Sequence, residues 1–280
     1  MVIIWLGTAA IGYPLAFCNC DNCNDARNHK GKSLRKRASK LINDDLIIDL
    51  GPDSQSAMMQ YDKNMGNIKY LLQTHIHTDH YDEGLLCTRI PYMAMKNHNK
   101  LEIFAHAICL DIMSNRVNQF EKADLISEEG SNKLNVHCNS VNSGDIFEFG
   151  NYKVKAIETT HDVKHGSLLY VVQEGDKTLF YAIDTPELTE NAIEQLKNYK
   201  LDCIIMDHTF GNVDYSFSHL NESLFIKQLE KLKSYNIICE DTLIFGTHIS
   251  HDGMPYHEQA EEIAIKNGYH IAYDGMEIEI

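Results

Sequence analysis

The stretch Thr74-His75-Ile76-His77-Thr78-Asp79-His80 concentrates metal-capable side chains in this chain of 280 residues. Imidazole nitrogens and a carboxylate oxygen at the spacing His-x-His-x-Asp-His are ligands for divalent cations. Ile68 to Leu72 alternates and is rich in β formers, so the motif begins where a buried strand ends, and the run after His80 reads as a helix. On such a strand-to-helix loop His75 and His77 can point to one side while Asp79 and His80 turn to the other, as two adjacent cations require. A surface histidine cluster is the bland alternative; borderline and hard ligands combined in one turn argue against it.

Two further groups invite the same chemistry. Cys18-Asn19-Cys20-Asp21-Asn22-Cys23 offers three thiolates, enough for three corners of a zinc tetrahedron, with the fourth ligand drawn from elsewhere. The other five cysteines, Cys87, Cys109, Cys138, Cys203 and Cys239, stand among apolar neighbours and read as small core residues. Asp184 follows a strand-like run, and its two oxygens suit it to bridge two cations roughly 3.5 to 4 Å apart. Asp49 ends the apolar run Leu46 to Ile48, where it would either orient a ligand histidine or cap a helix. Asp207-His208 ends another such run, and its role stays open.

The His75 to His80 motif resembles the signature of the metallo-β-lactamase superfamily. That resemblance implies an α/β (α+β) chain folded as an αββα sandwich, two mixed β-sheets flanked by helices, with metals at one edge. Gly7-Thr8 through Pro14, the Cys-x-Cys-x-x-Cys cluster, Ala26-Arg27 and Tyr273 to Ile278 resemble the PhnP-type phosphodiesterases, which open 5-phosphoribosyl 1,2-cyclic phosphate. By that resemblance Cys18, Cys20, Cys23 and His251 hold a structural zinc. One active-site ion takes His75, His77 and His161, the other takes Asp79, His80 and His248, and Asp184 is shared. His219 matches the family's general acid, and Asp79 joins it among the catalytic candidates. The ligand set accepts zinc, manganese or iron. Hydrolysis of a thioester or lactone, or a PqqB-like binding role without hydrolysis, are the alternatives.

Composition bounds the rest. With 44% hydrophobic residues the chain can bury a full core, expected as one domain over residues 1–280. There is no apolar run of eighteen residues, and Met1 to Leu6 is too short for a signal peptide, so a cytoplasmic protein without membrane contact is expected. A formal charge of -15 disfavours long nucleic acids and points to a small phosphorylated substrate. The basic run Lys30, Lys32, Arg35, Lys36, Arg37 and Lys40 reads as a solvated loop rather than a phosphate clamp. Residues 92–145 show no catalytic cluster and would serve as a pocket wall or dimer contact, homodimerisation being a family expectation. His98, His106 and His137 read as structural or surface residues, and His165 as an exposed loop histidine near the site.

Overall fold

The computed structural model describes residues 1–280 and places their strands in two seven-stranded sheets. The first is built in order from β1 (Val2–Gly7), β2 (Ser39–Ile42), β3 (Leu46–Ile48), β4 (Tyr70–Leu72), β5 (Leu101–Ala105) and β6 (Val136–Ser140). The second runs through β7 (Ile146–Phe149), β8 (Tyr152–Glu158), β9 (Leu168–Glu174), β10 (Lys177–Ala182), β11 (Cys203–Asp207), β12 (Leu243–Thr247) and β13 (His270–Ile271). Finally β14 (Glu277–Glu279) returns to pair antiparallel with β1 and completes the first sheet. Both sheets are mixed: β3 to β6 are parallel, as are β10 to β13, and the other neighbours are antiparallel.

Alternating side chains make the layers. On β1, Ile3 and Trp5 enter the core between the sheets, while Ile4 and Leu6 enter the cluster beneath the helices. On β11, Cys203 and Ile205 face the other sheet, while Ile204 and Met206 face outward to helices. Strands covered on both faces are apolar throughout, which is why these runs lack a polar side in the sequence.

The helices are α1 (Asp21–His29), α2 (Ser54–Gln60), α3 (Glu83–Cys87), α4 (Ala107–Glu121), α5 (Glu128–Leu134), α6 (Glu190–Leu196), α7 (Glu222–Ser234) and α8 (His257–Lys266). The first sheet is covered by α2 to α5 through Met58, Leu86, Met113 and Leu134. Ala26 of α1, Ile193 of α6, Phe225 of α7 and Ala264 of α8 cover the second. The expected αββα sandwich is therefore the observed one. No helix is long and apolar enough to cross a membrane.

Two local readings change. The helix after His80 starts only at Glu83, where Asp82 caps it by accepting a hydrogen bond from the Gly84 amide (2.8 Å). The basic run is not simply a solvated loop: Arg35 and Lys40 are buried, and Lys40 Nζ donates to the Gly7 carbonyl (3.1 Å). Residues 92–145 supply β5, β6, α4 and α5 at one side of the first sheet.

Because Ile205 is fully buried between the sheets, Ile205→Ala should destabilise the fold by about 2–5 kcal/mol in chemical denaturation. Ile265→Ser, at a position 56% exposed, should change it by less than about 0.5 kcal/mol.

Candidate metal centre

The candidate ligands come from loops at the carboxyl ends of strands. His75 to His80 follow β4, His161 follows β8, Asp184 follows β10 and His248 follows β12, while Asp207 is the last residue of β11. Parallel neighbours bring such ends to one edge. Asp49, Asp184 and His248 have φ angles of 64°, 50° and 64°, in the left-handed region that costs of order 1–3 kcal/mol per residue. That backbone turn swings each side chain out of its strand and into the cluster. Gly51 lets the motif loop settle close by, since a Cβ there would lie 2.5 Å from the Asp79 carbonyl oxygen.

The donor atoms form two groups that share Asp184. In one, atoms of His75, His77, His161 and Asp184 lie within 4.8 Å of one another; in the other, those of Asp79, His80, Asp184 and His248 do. His75 Nε2 is 3.0 Å from His77 Nδ1, which is 3.3 Å from His161 Nε2. His80 Nε2 is 3.2 Å from His248 Nε2, 3.2 Å from Asp79 Oδ2 and 2.7 Å from Asp184 Oδ2. One imidazole proton cannot serve so many neighbours. A tetrahedron with roughly 2.0–2.1 Å bonds to nitrogen has edges of about 3.3 Å, so the spacing fits divalent cations. The clearest sign is Asp184, whose two carboxylate oxygens are buried and accept no hydrogen bond.

Each imidazole is oriented from outside the cluster. His80 Nδ1 donates to Asp49 Oδ2 (2.9 Å), His75 Nδ1 to Thr74 Oγ1 (2.9 Å), His161 Nδ1 to the Ser218 carbonyl (3.0 Å) and His248 Nδ1 to Thr209 Oγ1 (2.8 Å). Those bonds leave four Nε2 lone pairs pointing inward. His77 is reversed, with Nε2 against Asp162 Oδ2 at 3.1 Å and Nδ1 inward. Asp49 is the anchor, also accepting from the Thr74 amide and hydroxyl (both 2.8 Å) and from Gln73 Nε2 (3.1 Å). It therefore orients a histidine, and the N-cap of α2 is Asp53 instead.

The electrostatics show a site short of positive charge. Burial works against a charged His80, yet the carboxylates of Asp184, Asp79 and Asp49 push its imidazole well above the ordinary value. Burial also opposes ionised Asp184, but His248, His80 and His75 hold its carboxyl well below the usual range. Burial lowers His75, His77 and His161, which favours the neutral imidazole that a cation binds.

His219 stands beside this cluster in the loop ahead of α7, whose N-cap is Asn221. Its Nδ1 donates to Asp207 Oδ2 (2.8 Å), and Asp207 also accepts from the Thr209 (3.0 Å) and Leu220 (3.1 Å) amides. Asp207 and His219 lie within 4.8 Å of Asp184 and His248 too, but Asp207 is already satisfied where Asp184 is not. Burial would depress His219, but the carboxylates of Asp207, Asp184 and Asp79, Asp207 foremost, together outweigh it and raise the imidazole to about 9. The sequence placed Asp207 at a strand end without revealing this partner. His208 turns away, with Nε2 at 3.0 Å from the Tyr269 hydroxyl, and is no part of the site. His165 pairs with Asp162 (2.8 Å), and His106 caps α4.

A cavity of about 410 Å³ opens over His77, His161, His219 and His248, and residues 92–145 contribute nothing to its wall. An apolar cavity of about 490 Å³ lies elsewhere, among Met58, Met65, Leu86 and Met93, away from these ligands.

The cysteine cluster closes as a separate centre. Cys18, Cys20, Cys23 and His251 bring their donors within 4.8 Å, with His251 Nδ1 at 3.5 Å from Cys18 Sγ and 3.4 Å from Cys20 Sγ. For bonds of roughly 2.3 Å to sulfur and 2.0–2.1 Å to nitrogen, a tetrahedral edge is about 3.6 Å. Hydrogen bonds from the Cys20 amide and side chain lower the Cys18 thiol, while burial raises Cys23 to about 12. Asn22 Nδ2 donates to the His251 carbonyl (2.8 Å), tying α1 to the loop that also carries His248.

Residues 45–248 match the family described as the Beta-lactamase superfamily domain, and the chain belongs to that superfamily. No curated protein matches it. Among solved structures it is similar to a new diphosphatase from the PhnP family, at 21% identity and TM-score 0.72, covering 100% of this chain and 96% of that one. Zinc-bound PqqB from Methylobacterium extorquens is similar at 17% identity and TM-score 0.71, with 100% of both chains covered. Human tRNase Z, short form, is similar at 17% identity and TM-score 0.66, over 100% of this chain and 99% of that one. Identities this low speak for the shared fold.

If the cysteine centre holds zinc, Cys20→Ser should lower the zinc content of the purified protein by about one equivalent per chain, measured by atomic emission. Unchanged zinc in that variant would rule this centre out.

Proposed function

We propose that this chain is a metal-dependent phosphodiesterase of the PhnP type, acting on a small phosphodiester. The observation that carries the reading is the unbonded Asp184 carboxylate between two sets of inward-facing imidazoles, with His219 set beside it against Asp207. His75, His77 and His161 would hold one divalent cation, Asp79, His80 and His248 the second, and Asp184 both. Bound there, the pair supplies Lewis acidity toward a phosphoryl group and a nucleophile at neutral pH.

The remaining steps belong to the chain. Asp207 keeps His219 protonated and oriented through Nδ1, which leaves Nε2 to give a proton to the departing alkoxide. Asp49, Thr209 and the Ser218 carbonyl fix the ligand imidazoles, so little reorganisation accompanies substrate binding. Cys18, Cys20, Cys23 and His251 would brace the loop that delivers His248. The full set of motif ligands supports hydrolysis over a PqqB-like binding role. The resemblance to PhnP-type enzymes names 5-phosphoribosyl 1,2-cyclic phosphate as the first natural substrate to try.

Hydrolysis of bis(p-nitrophenyl) phosphate by the manganese- or zinc-loaded protein tests the reading, and Asp184→Asn should abolish it. Removing a positioned general acid costs about 10²–10⁴-fold, so His219→Ala should lower turnover by that order. No turnover by the loaded wild-type protein would defeat the phosphodiesterase reading and direct assays to thioesters and lactones. The acid must be protonated to act, so activity should fall on the alkaline side as His219 loses its proton. In Asp207→Asn the strongest upward influence on His219 is gone, and this alkaline limb should move to lower pH. An unmoved limb would remove His219 from the proton transfer.

A further inference from the structure

The wall of the active-site cavity carries no lysine or arginine. Five of the six residues of the basic run are engaged elsewhere, and the sixth, Lys30, is not among those lining the cavity. Arg35 donates to Thr8 Oγ1 (2.9 Å) and the Ala272 carbonyl, Lys36 to Gln60 Oε1 (2.6 Å), and Arg37 pairs with Asp53 (2.7 Å). Lys32 sits over the Tyr273 ring at 4.0 Å, and Lys40 is buried in the core. Asp252, at the cavity rim, adds a carboxylate instead. A second phosphate on the substrate would meet no lysine or arginine in this wall, and the Asp252 carboxylate would repel it.

What the wall does offer is apolar and aromatic. Ile11, 68% exposed, and Leu15 stand on the loop after β1, which docks through the Ala10 amide on the Ile249 carbonyl (3.1 Å), one residue past His248. Phe210 lines the same cavity, its ring edge-on to His219 with centroids 5.5 Å apart at 88°. Tyr215 backs Phe210 at 5.1 Å, and Phe217, 77% exposed, follows at 5.5 Å from Tyr215. Ile11, Leu15 and Phe210 are the large apolar side chains of this wall, and such groups in an otherwise polar site pack the uncharged part of a ligand.

We infer that the part of the substrate flanking the scissile phosphodiester is an uncharged planar ring, held between Ile11 and Phe210, and not a second phosphorylated group. This rests on the phosphodiesterase reading and narrows it: an aryl or nucleobase-bearing diester fits the cavity, whereas the 5-phosphate of a phosphorylated cyclic ribose has no partner there. Phe210 and Ile11 are the specificity residues.

The test compares two diesters with one leaving group on the metal-loaded protein, bis(p-nitrophenyl) phosphate and methyl p-nitrophenyl phosphate, each scaled to its uncatalysed rate. Calorimetric titration with phenylphosphonate and methylphosphonate gives a readout independent of turnover. The aryl member of each pair should lead by about tenfold, in kcat/KM through KM and in affinity. Phe210→Ala should erase most of that lead, and Ile11→Ser, at an exposed position that does not threaten folding, should reduce it. Equal aryl and methyl values, a lead untouched by both variants, binding of neither phosphonate, or faster turnover of 5-phosphoribosyl 1,2-cyclic phosphate than of the aryl diester would each overturn the inference. If neither diester is cleaved while phenylphosphonate still binds about tenfold tighter than methylphosphonate, the phosphodiesterase reading fails and the aromatic pocket stands.

Discussion

Both oxygens of Asp184 are buried, and neither accepts a hydrogen bond, although His75, His80 and His248 approach them within 2.7–3.1 Å. An ionised carboxylate so placed is costly unless positive charge faces it. The surrounding imidazoles cannot all supply that charge, because their outward nitrogens are committed to Asp49, Thr74 and Thr209, and their inward ones face each other. Divalent cations bound among these donors would satisfy the arrangement. The strand ends, the left-handed turns at Asp49, Asp184 and His248, and the close passage at Gly51 all serve to bring these groups together.

The loop from His248 to His251 links the two candidate centres. Ile249 is locked in place by its amide, which donates to the Thr8 carbonyl (2.8 Å), and by its carbonyl, which accepts from Ala10. The same few residues thus connect the cysteine cluster, the second cation set and the apolar wall at Ile11. A short loop with so many fixed partners has little freedom, so structure at the cysteine cluster reaches the catalytic edge through covalent and hydrogen-bonded neighbours.

Much of this was legible in the sequence because its signals are local. His75 to His80 lie within one loop, Cys18 to Cys23 within another, and Asp184 closes a strand whose apolar run is plain. The resemblance to known families reached the distant members His161, His248 and His251. Long-range pairing was not legible. Asp49 and Asp207 look alike, each a carboxylate after an apolar run, and only folding shows that one steadies His80 and the other His219. The basic run misled for the same reason: charge in one dimension suggests solvent, while the fold buries Arg35 against the Thr8 hydroxyl and the Ala272 carbonyl, and Lys40 between the sheets. The sequence left His208 open, and the fold decides it, since neighbouring residues at the end of a strand point to opposite faces.

Anomalous diffraction from crystals of the manganese-loaded protein tests the central claim most directly. The account predicts two manganese peaks about 3.5–4 Å apart with Asp184 between them, one near His75, His77 and His161, the other near Asp79, His80 and His248. A single peak, or a pair in which Asp207 and His219 replace either set as ligands, would contradict it.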